Sequence, residues 1–314
     1  QRQMCIRDSP CGGVMELRKS ISSYLKEFCA MYVRPEQIII GAGTEYLYSI
    51  LIQLLGRNVC YGVENPGYPK IAKIYRSMGV KYEYIDLDEE GTSAKKLEEK
   101  KVDIMHISPS HHFPTGMVMP ISKRYELLGW VTREKERYII EDDYDSELRL
   151  AGKPIPSLQS IDVSGKVIYI NTFAKTLCST VRISYMVLPQ TLLAAYEERG
   201  KNFSVTVSRV DQKIIELFLR EGYFERHLNR MRALYKGKRD LILKLLKPLR
   251  SVCCVSGEHA GVHLLLQLLN GMTEEEAVER TKAVGIKVYP LHQYYVNLSL
   301  IHTDAADDLT RVDL

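Results

Sequence analysis

Three short segments carry residue types that can do chemistry, and each follows a stretch that reads as a β-strand. The first is Gly41-Ala42-Gly43-Thr44-Glu45, after the β-branched run Ile38-Ile39-Ile40. Glycines let a backbone approach a ligand closely, and N–H groups at a helix start attract anions, so Gly43, Thr44 and Glu45 could cradle a phosphate. The same residues serve equally as a structural turn. The second segment is Glu141-Asp142-Asp143-Tyr144-Asp145, at the end of the apolar strand Tyr138-Ile139-Ile140. Burying charge is costly without a partner, so these carboxylates form either a solvated loop or a paired cluster. A metal site is a further alternative, although His111 and His112 follow no metal-binding spacing. The third segment, residues 171–177, closes the strand 167–170 and contains Lys175, with Arg182 beyond it. A lysine at the end of a buried strand can have its pKa lowered by desolvation and become an amine nucleophile. Alone, it reads equally as a surface lysine.

The elements that must position these segments follow from periodicity. Residues 14–31 repeat apolar side chains at helical spacing, with Leu17, Ile21, Tyr24, Leu25 and Phe28 on one face. Strands are expected at 38–40, 59–63, 81–87, 102–107, 138–140, 167–170 and 183–188. Helices are expected at 46–55, 69–78, 93–101 and 122–136. Residues 192–249 are mostly helical in pattern. Strand-like 252–255 and 262–266, a helix at 273–284 and a strand at 286–289 follow. Strands alternating with helices predict a mainly parallel sheet covered on both faces, with ligands beyond the carboxyl ends of the strands.

Bulk properties exclude several classes. With 45% hydrophobic and 26% charged residues over 314 positions, the chain has the composition of a globular protein with a large core. Lys and Arg number 43 against 39 Asp and Glu, and a net charge of +4 spread over this length gives no sign of nucleic-acid binding by these residues. No apolar run reaches membrane-spanning length. The seven Cys show no metal-type spacing, and adjacent Cys253 and Cys254 are poorly placed for a mutual disulfide, so a reducing cytoplasmic location is expected. The ends look foreign. Residues 1–9 (QRQMCIRDS) and 298–308 (LSLIHTDAADD) resemble a translated transposon-end sequencing adapter, since one codon choice for the first has a reverse complement encoding the start of the second. Residues 1–9 and 298–314 are therefore set aside from fold reasoning, and the native segment is expected to be a fragment.

Together, ENPGYP (64–69), SPSHHFPTG (108–116), IIEDDYDSEL (139–148) and TFAKTL (172–177) with Arg182 resemble the MocR/GabR family. These are regulators that fuse a winged helix-turn-helix domain to a fold-type I aminotransferase domain. The resemblance spans essentially residues 12–297, and the order and character of the motifs also match class I/II aminotransferases in general. It implies an α/β fold of the fold-type I pyridoxal-phosphate (PLP) dependent transferases, with a mainly parallel central sheet flanked by helices and a smaller α+β domain. The implied organisation is 10–37 as the N-terminal part of the small domain, 38–229 as the large PLP-binding domain and 230–297 as the small C-terminal domain.

The resemblance also assigns roles. Lys175 would form a Schiff base with pyridoxal 5'-phosphate, Asp142 would pair with the pyridine nitrogen, and Tyr144 would hydrogen-bond the ring's phenolic oxygen. Tyr68 would stack on the ring. Arg182, Thr44 and the backbone of Gly43 and Glu45 would hold the phosphate, with Thr172 close to it or to Lys175. Phe113 stands where many aminotransferases have Asn, so His111 or His112 could line the site instead. Glu45 stands where Gln is frequent, and a carboxylate beside a phosphate is expected to point away. Lys70 occupies the position where GabR-like proteins place an Arg for the ligand carboxylate. The resemblance implies an amino acid or amine ligand, a homodimer, and DNA contact only through a domain outside this chain. Its leading functional reading is the sensing part of a MocR/GabR-like transcription regulator. The alternative is a stand-alone aminotransferase moving an amino group between an amino acid and a 2-oxo acid.

Overall fold

The computed structural model describes residues 12–150, 155–200, 204–257 and 262–296, and the backbone of 309–313. The strands of the first sheet are β1 (Ile38–Gly41), β2 (Tyr61–Asn65), β3 (Tyr82–Asp86), β4 (Ile104–Ile107), β5 (Tyr138–Asp143), β6 (Val167–Thr172) and β7 (Ser184–Val187). Their spatial order is β1-β7-β6-β5-β4-β2-β3. The five strands from β6 to β3 pair in parallel, while β7 is antiparallel to both β6 and β1. The second sheet comprises β8 (Cys253–Ser256), β9 (His263–Leu268), β10 (Tyr289–Pro290) and β11 (Leu309–Asp313), all antiparallel. Residues 309–313, within the tail set aside above, thus pair with β9 and β10, whereas 1–9 and 298–308 lie outside the described residues.

The helices are α1 (Met15–Cys29), α2 (Thr44–Leu55), α3 (Pro69–Ser77), α4 (Ala94–Glu99), α5 (Ile121–Thr132), α6 (Leu158–Ile161), α7 (Phe173–Thr176), α8 (Gln190–Gly200), α9 (Arg209–Arg220), α10 (Tyr223–Leu246) and α11 (Glu274–Ala283).

Strand side chains alternate between faces, and the core divides accordingly. Ile39, Ile104, Ile140, Ile168, Ile170 and Met186 join Leu47, Ile50 and Leu51 of α2 in one cluster. The intervening residues Ile38, Ile40, Tyr169, Tyr185 and Val187 pack with Leu17, Ile21 and Leu25 of α1. Met105, Ile107, Ile139 and Val167 meet Leu127 and Trp130 of α5. Each fully buried aliphatic side chain contributes about 1.5–3 kcal/mol, so both faces anchor the sheet firmly.

Several expectations shift. β2 begins and ends two residues later than the apolar run suggests, because Glu64 and Asn65 keep pairing with Ile85 and Asp86. The helix expected at 122–136 stops at Thr132, and the strand expected at 286–289 narrows to 289–290. The N-terminal helix was expected in the small domain. Instead α1 packs on the large sheet and along α9, because its buried stripe of Leu17, Ile21 and Leu25 meets the apolar β1 and β7 surface. The expected boundary at 229/230 falls inside α10, one continuous 24-residue helix that connects the two sheets.

Candidate active site

A cavity of about 500 Å³ opens beyond the carboxyl ends of β2, β4, β5 and β6, where a mainly parallel sheet places ligands. The turn after β1 and the start of α2 supply Gly43, Thr44 and Glu45 to its wall. Tyr68 and Lys70 come from the start of α3, Asp142 and Tyr144 from the end of β5, and Thr172, Lys175 and Arg182 from β6 and the segment after it. Ten of the eleven candidate residues therefore share one surface. The exception is His111, which, like the alternative His112, is buried outside the wall. Its Nδ1 is 2.8 Å from Asp145 Oδ2 and 3.2 Å from the Tyr144 hydroxyl.

The acidic run resolves by strand alternation, because β5 continues through Asp143 rather than ending at Ile140. Asp142 shares the face of Ile140 and turns to the cavity. It accepts a 2.6 Å hydrogen bond from the buried Tyr48 hydroxyl and lies 3.5 Å from His106 Nε2. The His106 ring is held in turn by the Tyr75 hydroxyl, 2.8 Å from Nδ1. Glu141 and Asp143 face the other way. Glu141 accepts from the N–H groups of Leu158 and Gln159, both at 2.9 Å, and burial raises its pKa to about 7 despite Arg124 at 3.8 Å. Asp143 accepts from the Ser146 hydroxyl at 2.7 Å and the Tyr169 hydroxyl at 2.9 Å, and burial raises its pKa also.

Lys175 lies in the single-turn helix α7, just past β6 rather than on it. Thr172 caps that turn by accepting from the Ala174 N–H at 3.2 Å, and Ser184 of β7 donates to the Thr172 hydroxyl at 2.9 Å. Lys175 Nζ is 6.0 Å from the centre of the Tyr144 ring, across the cavity wall.

The anion-type corner is built around Gly43. Its φ is +91°, which strains any other residue, and a Cβ there would lie 2.7 Å from Arg182 Nη2 and 2.8 Å from Glu45 Oε2, so both side chains would have to shift. Its N–H donates to the Gly41 carbonyl at 3.0 Å, and the first turn of α2 beside it offers N–H groups that lack intrahelical partners. Arg182 holds φ +50°, a left-handed conformation of the strained kind that clusters at ligand sites. Glu45 does not point away. Its carboxylate accepts from Arg182 Nη2 at 3.1 Å and pairs with Lys70. Burial acts to raise the Glu45 pKa, but hydrogen bonding from Lys70 and the charges of Lys70 and Arg182 bring it below its ordinary value.

Residues missed in the sequence complete the wall. Glu64 accepts from the Ser108 N–H at 3.0 Å and the Thr92 hydroxyl at 3.3 Å, and burial raises its pKa to about 8. Burial, then the neighbouring His111, lowers His112 to about 3, so the 3.6 Å approach of His112 to Glu64 joins two neutral groups at pH 7. Tyr294, from beyond β10, reaches back to the same cavity and meets Phe113 edge-on at 5.0 Å. Phe113 in turn meets Tyr68 at 5.6 Å. Phe113, the departure noted in the sequence, is thus an aromatic contact between the two parts of the chain.

No helix among the described residues is long and apolar enough to cross a membrane. The chain is similar to HTH-type transcriptional regulators. It is 39% identical to YdeL of Bacillus subtilis strain 168, over 90% of this chain and 61% of the relative. It is 30% identical to the probable rhizopine catabolism regulatory protein MocR of Rhizobium meliloti, over 90% of this chain and 58% of the relative. The chain thus spans about 60% of the length of these relatives. Among solved structures, an archaeal alanine:glyoxylate aminotransferase superposes with a TM-score of 0.82 at 24% identity, covering 100% of this chain and 78% of that one. A Pyrococcus horikoshii kynurenine aminotransferase gives 0.80 at 24% identity, covering 98% and 77%. The fold is therefore that of the fold-type I aminotransferases, as the motifs implied. With the profile for aminotransferase class I and II matching residues 4–295, the chain belongs to that family, as an aminotransferase-like domain whose relatives include MocR-type regulators.

Proposed function

We propose that the cavity binds pyridoxal 5'-phosphate, and that the domain receives an amino acid or amine as the sensing part of a MocR/GabR-like regulator. The observation that carries this reading is the convergence of Lys175, Asp142, Tyr144 and Arg182 on one cavity. The donor set fits the cofactor. Gly43 leaves room beside the Arg182 guanidinium at the start of α2, where a phosphate gains both N–H donors and a planar cationic fork. Arg182, Thr44 and the Glu45 N–H would hold the phosphate, with Thr172 beside it. The Glu45 carboxylate would have to leave Arg182. Asp142, fixed by Tyr48, would keep a proton on the ring nitrogen. Tyr144 would hydrogen-bond the ring oxygen, and Tyr68 would cover a ring face. Lys175 would supply the amine that anchors the cofactor and later accepts or returns a proton. The bound cofactor supplies an electron sink for charge developing next to the ligand's amine.

The regulator reading is supported by 39% identity to an HTH-type transcriptional regulator and 30% identity to the probable regulatory protein MocR. In that case ligand binding shifts the domain between conformations, and DNA is contacted through another domain. The second reading, a catalytic aminotransferase, is supported by the full set of reactive residues. It is also supported by 23% identity to aromatic-amino-acid aminotransferase 1 of Thermococcus litoralis across 93% of this chain. A homodimer in a cytoplasmic setting belongs to either reading.

Purified protein loaded with PLP and reduced with borohydride should carry the cofactor covalently on Lys175, read by peptide mass spectrometry, and Lys175→Ala should carry none; a wild-type protein with no adduct at Lys175 overturns the cofactor reading. Mixing the loaded protein with amino acids then separates the two functions. Repeated conversion of the cofactor to its amine form with turnover excludes a pure sensor.

A further inference from the structure

His111 takes no part in the cavity wall, yet it touches a residue that does. We propose that His111 is a positioning residue for Tyr144: held by Asp145, it turns the Tyr144 hydroxyl hydrogen toward the cavity and makes Tyr144 a donor to the bound ligand. The proposal rests on the PLP reading above and adds what fixes the direction of that hydrogen bond.

Asp145 and His111 are both buried, 1% and 2% exposed. His111 Nδ1 lies 2.8 and 3.0 Å from the two Asp145 oxygens and 3.2 Å from the Tyr144 oxygen. A bare Nδ1 would set its lone pair against three oxygens in a water-poor site. The hydrogen therefore resides on Nδ1, and the charged, nearer Asp145 accepts it. Tyr144 can then present only a lone pair to His111, so its own hydrogen points away from His111, and Tyr144 lines the cavity. The imidazole also packs against His263 of β9. The two rings lie 4.7 Å apart at 32°, and His263 Nε2 meets the Pro114 carbonyl at 3.1 Å. Three parts of the chain thus fix one ring: the end of β5, the loop after β4 and the second sheet.

A donated hydrogen bond stabilises negative charge on the ring oxygen of the cofactor. Losing it raises the pH midpoint at which the bound cofactor's absorbance changes, by about one unit for a tenfold change in proton affinity. The experiment titrates the absorbance of PLP-loaded wild type, Tyr144→Phe, His111→Phe, His111→Gln and Asp145→Leu. Asp145→Leu removes the acceptor that holds the hydrogen on Nδ1, so Nδ1 can capture the Tyr144 hydrogen instead, and the midpoint should rise as in Tyr144→Phe with side-chain bulk kept. His111→Phe should do the same, and His111→Gln, which keeps an N–H donor for Asp145, should stay near wild type. Should His111→Phe fail to fold, Asp145→Leu and His111→Gln decide alone. A wild-type midpoint in Asp145→Leu while Tyr144→Phe moves overturns the proposal, as does a Tyr144→Phe variant that titrates like wild type. A wild-type protein with no band fails differently, since that overturns the PLP reading itself.

Discussion

Glu64→Gln should make this protein more stable at neutral pH, and the reason lies in where Glu64 keeps its proton. The side chain is mostly buried at the end of β2, with 9% of it exposed at the cavity wall, and burial is the main cause that raises its pKa from 4.5 to about 8. The Ser108 N–H and the Thr92 hydroxyl lower it, but not enough, and the Asp142 charge raises it further. The folded protein thus retains a proton that the unfolded chain releases above pH 4.5. Stability linked to this group is fully present below pH 4.5 and is lost as pH rises, until the folded state also releases the proton near pH 8. At ~1.4 kcal/mol per pH interval, the loss accumulated by pH 7 is about 3 kcal/mol. Glutamine has nothing to release. Its carbonyl can accept from the Ser108 N–H, and its amide can donate to the Thr92 hydroxyl, so neither partner is stranded. Urea unfolding of both proteins at half-unit steps from pH 4.5 to 8.5 measures the difference. It should be small at the acidic end, grow steadily toward pH 8 and then level off. A difference that stays constant with pH, or a variant weaker than wild type at pH 7, would refute the reasoning. The second outcome would mean that Glu64 is an anion paired with His112, contrary to the lowered His112 pKa of about 3.

Two further substitutions test other parts of the structure. Gly43→Ala forces a side chain into φ +91° and 2.7 Å from Arg182 Nη2; it should cost about 1–2 kcal/mol of stability and at least a tenfold loss in PLP affinity by equilibrium dialysis, and unchanged affinity would sink the anion corner. Arg124→Met removes hydrogen bonds to the carbonyls of Met119 (3.2 Å), Pro156 (2.8 Å) and Pro109 (2.8 Å); denaturant unfolding should show a loss of about 3 kcal/mol or more, and a loss below about 1 kcal/mol would mean these carbonyls find other donors.

The sequence made the strand-end residues readable because their neighbours carry strong local signals. Ile38-Ile39-Ile40 reads as a short β-branched strand, and glycines after it mark a tight approach to α2. The residues that orient the site had weaker signals. Tyr48 sits one helical turn after Thr44, so its place on the cavity face of α2 was available from spacing, but its partner Asp142 is 94 positions away. His106 alternates correctly with Ile104 on β4, yet a histidine within an apolar strand carries no mark of its ligand. The α1 stripe showed that Leu17, Ile21 and Leu25 are buried, without showing against what. Amphipathic pattern fixes a face and leaves its partner open. Tyr294 was harder still, because it reaches the cavity only through folding of the second sheet back over Phe113.

The acidic run shows how much one structural fact can change a chemical reading. As a loop, residues 141–143 are one cluster of charge with several possible uses. As the last half of β5, they divide into two sets by alternation, and each set has its own reason to be buried. Asp142 faces α2, where Tyr48 holds it toward the cavity. Glu141 secures the start of α6 through two backbone N–H groups, and Asp143 secures the turn after β5 through Ser146. The raised pKa values of Glu141 and Asp143 follow from burial without a full charge partner, so both favour holding a proton more than free carboxyls do. At neutral pH this reduces the charge on the far face without removing it, since values of about 7 and about 6 leave Glu141 partly and Asp143 largely ionised. Asp142 alone of the three lines the cavity, held there by the Tyr48 hydroxyl.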